Sequence, residues 1–278
     1  MNGIEKMDNI TVIKPRKGII GIDFKELFQY RELLWVLALK EIKLRYKQTA
    51  IGGLWAIIQP FVTMVVFTIF FGKVAKIPSD GVPYAIFSYS GLLLWTYFAN
   101  SLSAASNSTI TNTQLISKIY FPRIILPISA TIVGLIDYAI AFVIVFGLMA
   151  YYKFTPTLYL LLTPIILFFT MMLASGIGFW LSAINVKYRD VRHAIPFFIQ
   201  LLIFMTPVIY PVSLAGKYKW LLNLNPMSGF IEAHRAAILG HQTINFGILG
   251  ISVAITLFIF VTGIMYFKSV ERYFADII

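Results

Sequence analysis

The sequence has 278 residues, of which 59% are hydrophobic and only 13% charged, with a formal net charge of +11 and a mean hydropathy of +0.80. That balance excludes an ordinary soluble domain. The basic residues fall in short stretches between apolar segments, where they orient a chain in a membrane and do not make a nucleic-acid surface, and the lack of cysteine excludes disulfides, iron–sulfur clusters and thiolate metal sites.

Met1 to Thr49 is a mixed polar and charged region without the apolar core of a signal peptide. Within it, residues 24–46 carry no helix breaker and place Phe24, Leu27, Phe28, Leu34, Trp35, Ala38, Leu39 and Ile42 at helical spacing, followed by Lys43, Arg45 and Lys47. The pattern predicts an amphipathic helix on the membrane surface. Gly52 and Gly53 let the chain turn into a transmembrane region that occupies residues 50–278.

Charge-poor intervals there predict an all-α fold of six transmembrane helices, at 54–72, 84–108, 124–151, 158–184, 194–210 and 247–267, each close to the roughly 20 apolar residues that cross a bilayer. Pro60 predicts a kink in the first span. The polar run Asn100 to Gln114 carries the second helix into a partly wet environment. Residues 211–246 are too short and too polar for another crossing, so short interfacial helices or a re-entrant hairpin are expected between spans five and six.

With the N-terminal region inside, the cytoplasmic side takes all but six of the 23 Lys and Arg, the six being Lys73, Lys76, Lys153, Lys217, Lys219 and Arg235. Both termini are therefore expected in the cytoplasm.

Chemistry-bearing motifs are sparse. The only Gly-Lys pairs, Gly72-Lys73 and Gly216-Lys217, are followed by Val74 and Tyr218, so no phosphate loop is present. His193, His234 and His241 lack metal-ligand spacing. Asp137, alone in the middle of the third span, is either a functional acid or a group that is protonated or satisfied by a hydroxyl or backbone group across a helix contact. Tyr84, Phe87, Tyr89, Trp95, Tyr97 and Phe98 cluster along the second span, where they serve either as interface anchors or as the lining of a conduit for sugars. In the inner loops, Lys118 and Arg123, and Lys187, Arg189, Asp190 and Arg192, satisfy the inside-positive bias or dock a soluble partner.

Several stretches, in order over nearly the whole chain, carry a resemblance: residues 45–55 (RYKQTAIGGLW) running on to Gln59-Pro60; Gly91-Leu92-Leu93-Leu94-Trp95 with Asn100-Ser101; residues 185–191 (NVKYRDV); residues 206–210 (TPVIY); and Asn225-Pro226-Met227. Together they resemble the membrane subunit of bacterial type-2 ABC exporters of the O-antigen and capsular polysaccharide class.

The resemblance implies a homodimeric inner-membrane permease with two copies of a separate ATP-binding subunit, which would carry the ATP and Mg, while this chain binds no cofactor. The substrate would be a lipid-linked polysaccharide, with capsule and teichoic acid export as alternatives. It assigns much of the ATPase docking to the N-terminal helix and the first inner loop, residues 24–46 and 113–123; with the charged second inner loop, the coupling residues are Trp35, Arg45, Lys118, Arg123, Lys187, Arg189 and Asp190. A secondary transporter or channel would show several intramembrane charges or an inverted repeat, and a lipid-processing enzyme would gather carboxylates on a loop; neither pattern is present.

Overall fold

The computed structural model describes residues 28–47, 52–188, 190–240, 243–271 and Phe274. Every regular element among them is helical. The start of the expected surface helix (24–27), Arg189 and His241 lie outside the described residues.

Helix α1 (Arg31–Lys47) precedes α2 (Trp55–Phe67), which continues through Pro60 into a π-helical turn, Thr68–Val74. Next come α3 (Tyr84–Thr111), the short α4 (Thr113–Lys118) and α5 (Ile125–Tyr152). A 3-10 turn, Leu158–Leu162, leads into α6 (Thr163–Lys187), and α7 (Val191–Phe204) follows. A second 3-10 turn, Val212–Tyr218, precedes α8 (Lys219–Leu224), α9 (Pro226–Leu239) and α10 (Phe246–Glu271).

Four helical stretches are long and apolar enough to cross a membrane: Gly52–Val74, Ile125–Tyr152, Leu158–Lys187 and Phe246–Glu271. They match the expected spans one, three, four and six. Span two forms a single 28-residue helix whose Ser, Thr and Asn lower its hydropathy. Those side chains need not meet lipid, because α3 is the central helix and packs on α5 and α6 along its length, with α2, α7 and α9 around its remaining sides. Span five is shorter than expected: α7 has 14 residues, and the chain turns at Met205–Tyr210, where Pro207 cannot extend a helix.

Small residues set how closely the helices approach, as expected where lipid supplies no hydrophobic drive and packing must do the work. A Cβ added to Gly178 on α6 would lie 2.6 Å from Ala105 Cβ on α3, and one added to Gly176 would lie 2.8 Å from the Phe260 backbone on α10. A Cβ at Gly263 would overlap the Gly176 carbonyl.

Helix α9 has strong local signals at both ends. Asn225 accepts a hydrogen bond from the Met227 amide (3.1 Å), Pro226 occupies the first turn, and Gly240 ends the helix with φ 62°. It is buried along most of its length against α3, α6 and α10.

The surface helix departs from its expected geometry. Residues 34, 35, 38 and 39 were expected on one apolar face, but α1 divides them. Leu37 and Ala38 are buried, with Leu33 and Leu34 half-buried, against the start of α5 and α4, while Trp35, Val36 and Leu39 are exposed. One helical side faces protein and a second side leaves apolar residues exposed.

We expect Gly263→Ala to lower the melting temperature of the detergent-purified protein, through overpacking worth about 1–3 kcal/mol. Gly147→Ala, where a Cβ meets nothing within 4 Å, should leave it unchanged or raise it. Equal melting of the two variants would contradict the close α6–α10 contact.

Candidate functional site

A cavity of about 640 Å³ opens between α1, α2, α3 and α5. Its longest wall is one stripe of α3, formed by Thr96, Asn100, Ser103, Asn107 and Thr111, whose spacing of three or four residues puts them on a single helical face. The polar run from Asn100 is therefore the lining of a cavity. Trp55, Gln59 and Pro60 of α2 face it from the other side, and Gly134, Asp137 and Tyr138 of α5 complete the wall.

The end of α1 meets α5 in this cavity. Arg45 forms an ion pair with Asp137, and the Tyr46 hydroxyl donates to the other carboxylate oxygen. Burial, and the hydrogen bond to Asp137, push the Tyr46 phenol up to about 12, so it stays a donor at neutral pH. Nearby, burial raises the Glu41 carboxyl above its ordinary range, against the opposing pull of Arg45 and Lys40. Asp137 is thus satisfied across a helix contact, one of the two roles open to it from sequence, and it also faces the cavity. On insertion scales an unsupported Asp at mid-helix costs roughly 2.5–3.5 kcal/mol, which gives α5 a standing reason to hold α1 in place.

The aromatic cluster of α3 lies in the interior of the protomer. Tyr84, Phe87, Tyr89, Trp95, Tyr97 and Phe98 are all buried within the protomer, and among them Tyr97 alone reaches the cavity. The others bind helices together: Tyr84 donates to the Ile209 carbonyl (2.8 Å) and Tyr89 to the Ala141 carbonyl (2.9 Å). Phe87 lies under the guanidinium of Arg235, 3.7 Å from carbon to ring centre.

Arg235 belongs to a buried polar network that sequence reasoning missed. It is 5% exposed and donates to the carbonyls of Phe87 (3.3 Å), Pro207 (3.1 Å) and Val208 (3.2 Å). The neighbouring His234 Nδ1–H donates to the Ser90 carbonyl (2.9 Å), which can only accept. That leaves Nε2 to accept from the Tyr138 hydroxyl (2.6 Å). Tyr138 lines the cavity, so a hydrogen-bonded chain runs from the cavity through His234 of α9 to the Ser90 carbonyl of α3, and the adjacent Arg235 ties α9 to the turn after α7. The charged residues Glu232 and Arg235 set between the apolar pairs Phe230-Ile231 and Ile238-Leu239 are the sequence signal that could have found it.

The coupling residues read from sequence fall into separate environments. Trp35 is 58% exposed on α1. Lys118 ends α4 beside the exposed Ile119 and Tyr120. Lys187 is exposed with its ammonium over the Tyr188 ring (5.3 Å), and exposed Asp190 starts α7. Arg123 faces inward instead: its backbone amide donates to Glu271 Oε1 (2.8 Å), its guanidinium to the Glu271 carbonyl, and it lies over Phe274. It fastens the loop before α5 to the end of α10. Among the described residues no cluster of three or more His, Cys, Asp or Glu is arranged to hold a metal.

A family model described as "ABC-2 type transporter" matches residues 32–239. The chain is 29% identical over 221 residues to the O-antigen export system permease protein RfbA of Myxococcus xanthus, covering 78% of this chain and 84% of the relative. It is 26% identical over 249 residues to RfbA of Klebsiella pneumoniae, covering 89% and 95%. Similarity also extends to the polysialic acid transport protein KpsM of Escherichia coli, at 24% over 248 residues, covering 85% and 92%.

Arg45→Gln and Asp137→Asn, made singly and together, test the contact between α1 and α5. The double variant should lose less stability in thermal melting than the two single losses added. The coupling expected is about 0.5–1 kcal/mol, at the low end because both groups are partly exposed. Strict additivity would mean that the pair does not join the helices.

Proposed function

Because the chain belongs to the ABC-2 type transporter family of membrane proteins, we propose that it is the permease subunit of an ATP-driven exporter that carries an O-antigen-like, lipid-linked polysaccharide across the bacterial inner membrane. The observation that carries this reading is the similarity to O-antigen export permeases over 84% and 95% of their length. A second reading, export of a capsule-type or teichoic acid polymer, draws on the more distant similarity to a polysialic acid transport protein.

In this reading the protomer crosses the membrane six times. Four crossings are the long apolar helices, and α3 is a fifth because its polar face turns toward the cavity and other helices. The sixth is α7 with the turn that follows it. Fourteen helical residues rise only about 21 Å, against a hydrocarbon core of about 30 Å. The buried residues Thr206 to Ile209, held by Arg235, extend it. Irregular backbone is tolerated at membrane depth where protein surrounds it. The 3-10 turn with α8 and α9 then forms the outer re-entrant segment, and the inside-positive bias puts both termini in the cytoplasm.

Two copies of the permease pair with two copies of an ATP-binding subunit, which holds ATP and Mg and performs hydrolysis. That subunit docks on the inner surface formed by α1, the Lys118 to Tyr120 loop, Lys187 and Asp190. Its closure moves α1, and the bonds from Arg45 and Tyr46 to Asp137 pass the motion into α5 and the cavity wall.

Lys118→Glu combined with Tyr120→Ala should leave the chain in the membrane but reduce both co-purification of the ATP-binding subunit and its stimulated hydrolysis. Normal glycan at the cell surface, with the partner fully retained, would overturn docking at this loop.

A further inference from the structure

We propose that the cavity between α1, α2, α3 and α5 is a binding subsite for a short stretch of uncharged sugar residues; the assignment rests on the polysaccharide-export reading above. Its volume of about 640 Å³ lies in the roughly 300–1,000 Å³ range of sites that enclose small ligands. The first observation that selects the ligand is a surplus of hydrogen-bonding groups. Thr96, Asn100 and Ser103 on α3 and Gln59 on α2 line the space, and no hydrogen bond within the described protein engages their side chains. They do not cap a helix or join two helices. Their shared property is that they face the cavity with both donors and acceptors to offer, as a ligand dense in hydroxyls requires.

Charge separates sugar from phosphate. The charged residues lining the cavity are Glu41, Arg45 and Asp137, and the guanidinium of Arg45 is already paired with Asp137. The wall therefore has no surplus cation, and Glu41 adds a further acid. An anionic headgroup would displace Asp137 from Arg45 and leave a carboxylate unpaired. A neutral sugar would leave the pair intact and use the carboxylates only as additional acceptors.

Shape supplies the third element. Trp55, at the start of α2, is 53% exposed and lines the same cavity as the α3 stripe. Its flat apolar ring suits the C–H face of a pyranose, while the hydroxyls at the ring edge reach toward Asn100 and Ser103. A floor formed by Asp137 and Tyr138 adjoins the hydrogen-bonded chain to His234, so bound sugar lies against the α1 anchor on one side and the α9 network on the other.

The test uses the complete exporter, permease with its ATP-binding partner, in glycan-producing membranes with hydrolysis arrested. Benzoylphenylalanine is incorporated at position 100 or 103, and as a control at position 143 on the exposed side of α5. Illumination should give adducts recognised by a glycan-specific antibody at 100 and 103 but not at 143. In parallel, the Thr96→Ala, Asn100→Ala, Ser103→Ala combination should reduce export about ten-fold, the effect of losing one or two hydrogen bonds of ordinary net strength.

Adducts at 100 that carry lipid phosphate without sugar would overturn the subsite in favour of headgroup binding. So would normal export with no adduct at either position. A wild-type complex that moves no glycan at all would instead remove the export reading, and the subsite with it.

Discussion

A carboxylate in the middle of a membrane helix has to find its partners inside the protein, and the rest of this molecule is organised around how Asp137 does so. Its partners, Arg45 and Tyr46, come from the far end of a helix that otherwise touches the bundle along one narrow stripe. The ion pair therefore serves two elements together. It removes the cost of a lone acid in α5, and it fixes the C-terminal end of α1 above the cavity, at the point where α1 gives way to the first span. A surface helix held only by Leu33, Leu34, Leu37 and Ala38 could slide; one held also at Arg45 and Tyr46 transmits force.

The same rule acts again on Arg235. Here a cation is satisfied by backbone carbonyls, and those carbonyls belong to Phe87 in α3 and to the turn at Pro207 and Val208. Gly91 leaves room for the guanidinium, since a Cβ there would lie 2.7 Å from it. The helix that is too short to cross alone is thereby tied to the helix at the centre of the bundle. Between the two charged sites stands Tyr138, which faces the cavity and donates to His234, the residue next to Arg235. The α1 anchor, the cavity and the turn after α7 are consequently linked through adjacent residues of α5 and α9, and α7, which packs lightly on the bundle, relies on the turn held by Arg235 for its position.

Much of this was legible in the sequence because hydrophobicity along a membrane chain is a local property. Four spans fell where charge-poor intervals put them, and the polar run from Asn100 marked the cavity face of α3. Local reading failed where a partner far along the chain decided the outcome. The aromatic residues from Tyr84 to Phe98 read by composition as interface anchors or conduit lining, but they are buried within the protomer, where Tyr84 and Tyr89 bond to the carbonyls of Ile209 and Ala141. Arg123 looked like a docking charge in an inner loop, yet Glu271 holds it. The pairing of Asp137 with residues some ninety positions earlier has no periodicity to announce it, and Arg235 counted as an outer-loop charge until α9 was seen to be buried. The division of α1 into a protein side and an exposed apolar side was likewise beyond a spacing argument, which assigns one face to each helix.

If Asp137 is the joint through which the ATP-binding subunit moves the cavity wall, then α1 and α5 must change their separation or the cavity must change shape when nucleotide binds. The most direct measurement places spin labels at positions 43 and 140 in the assembled exporter and compares distance distributions without nucleotide and with hydrolysis-trapped ATP. Nucleotide should shift the distribution in the unmodified protein and leave it broad and unchanged in Asp137→Asn. An identical, nucleotide-sensitive shift in that variant would contradict this role of Asp137, because α1 would then drive the bundle without the contact on which the mechanism depends.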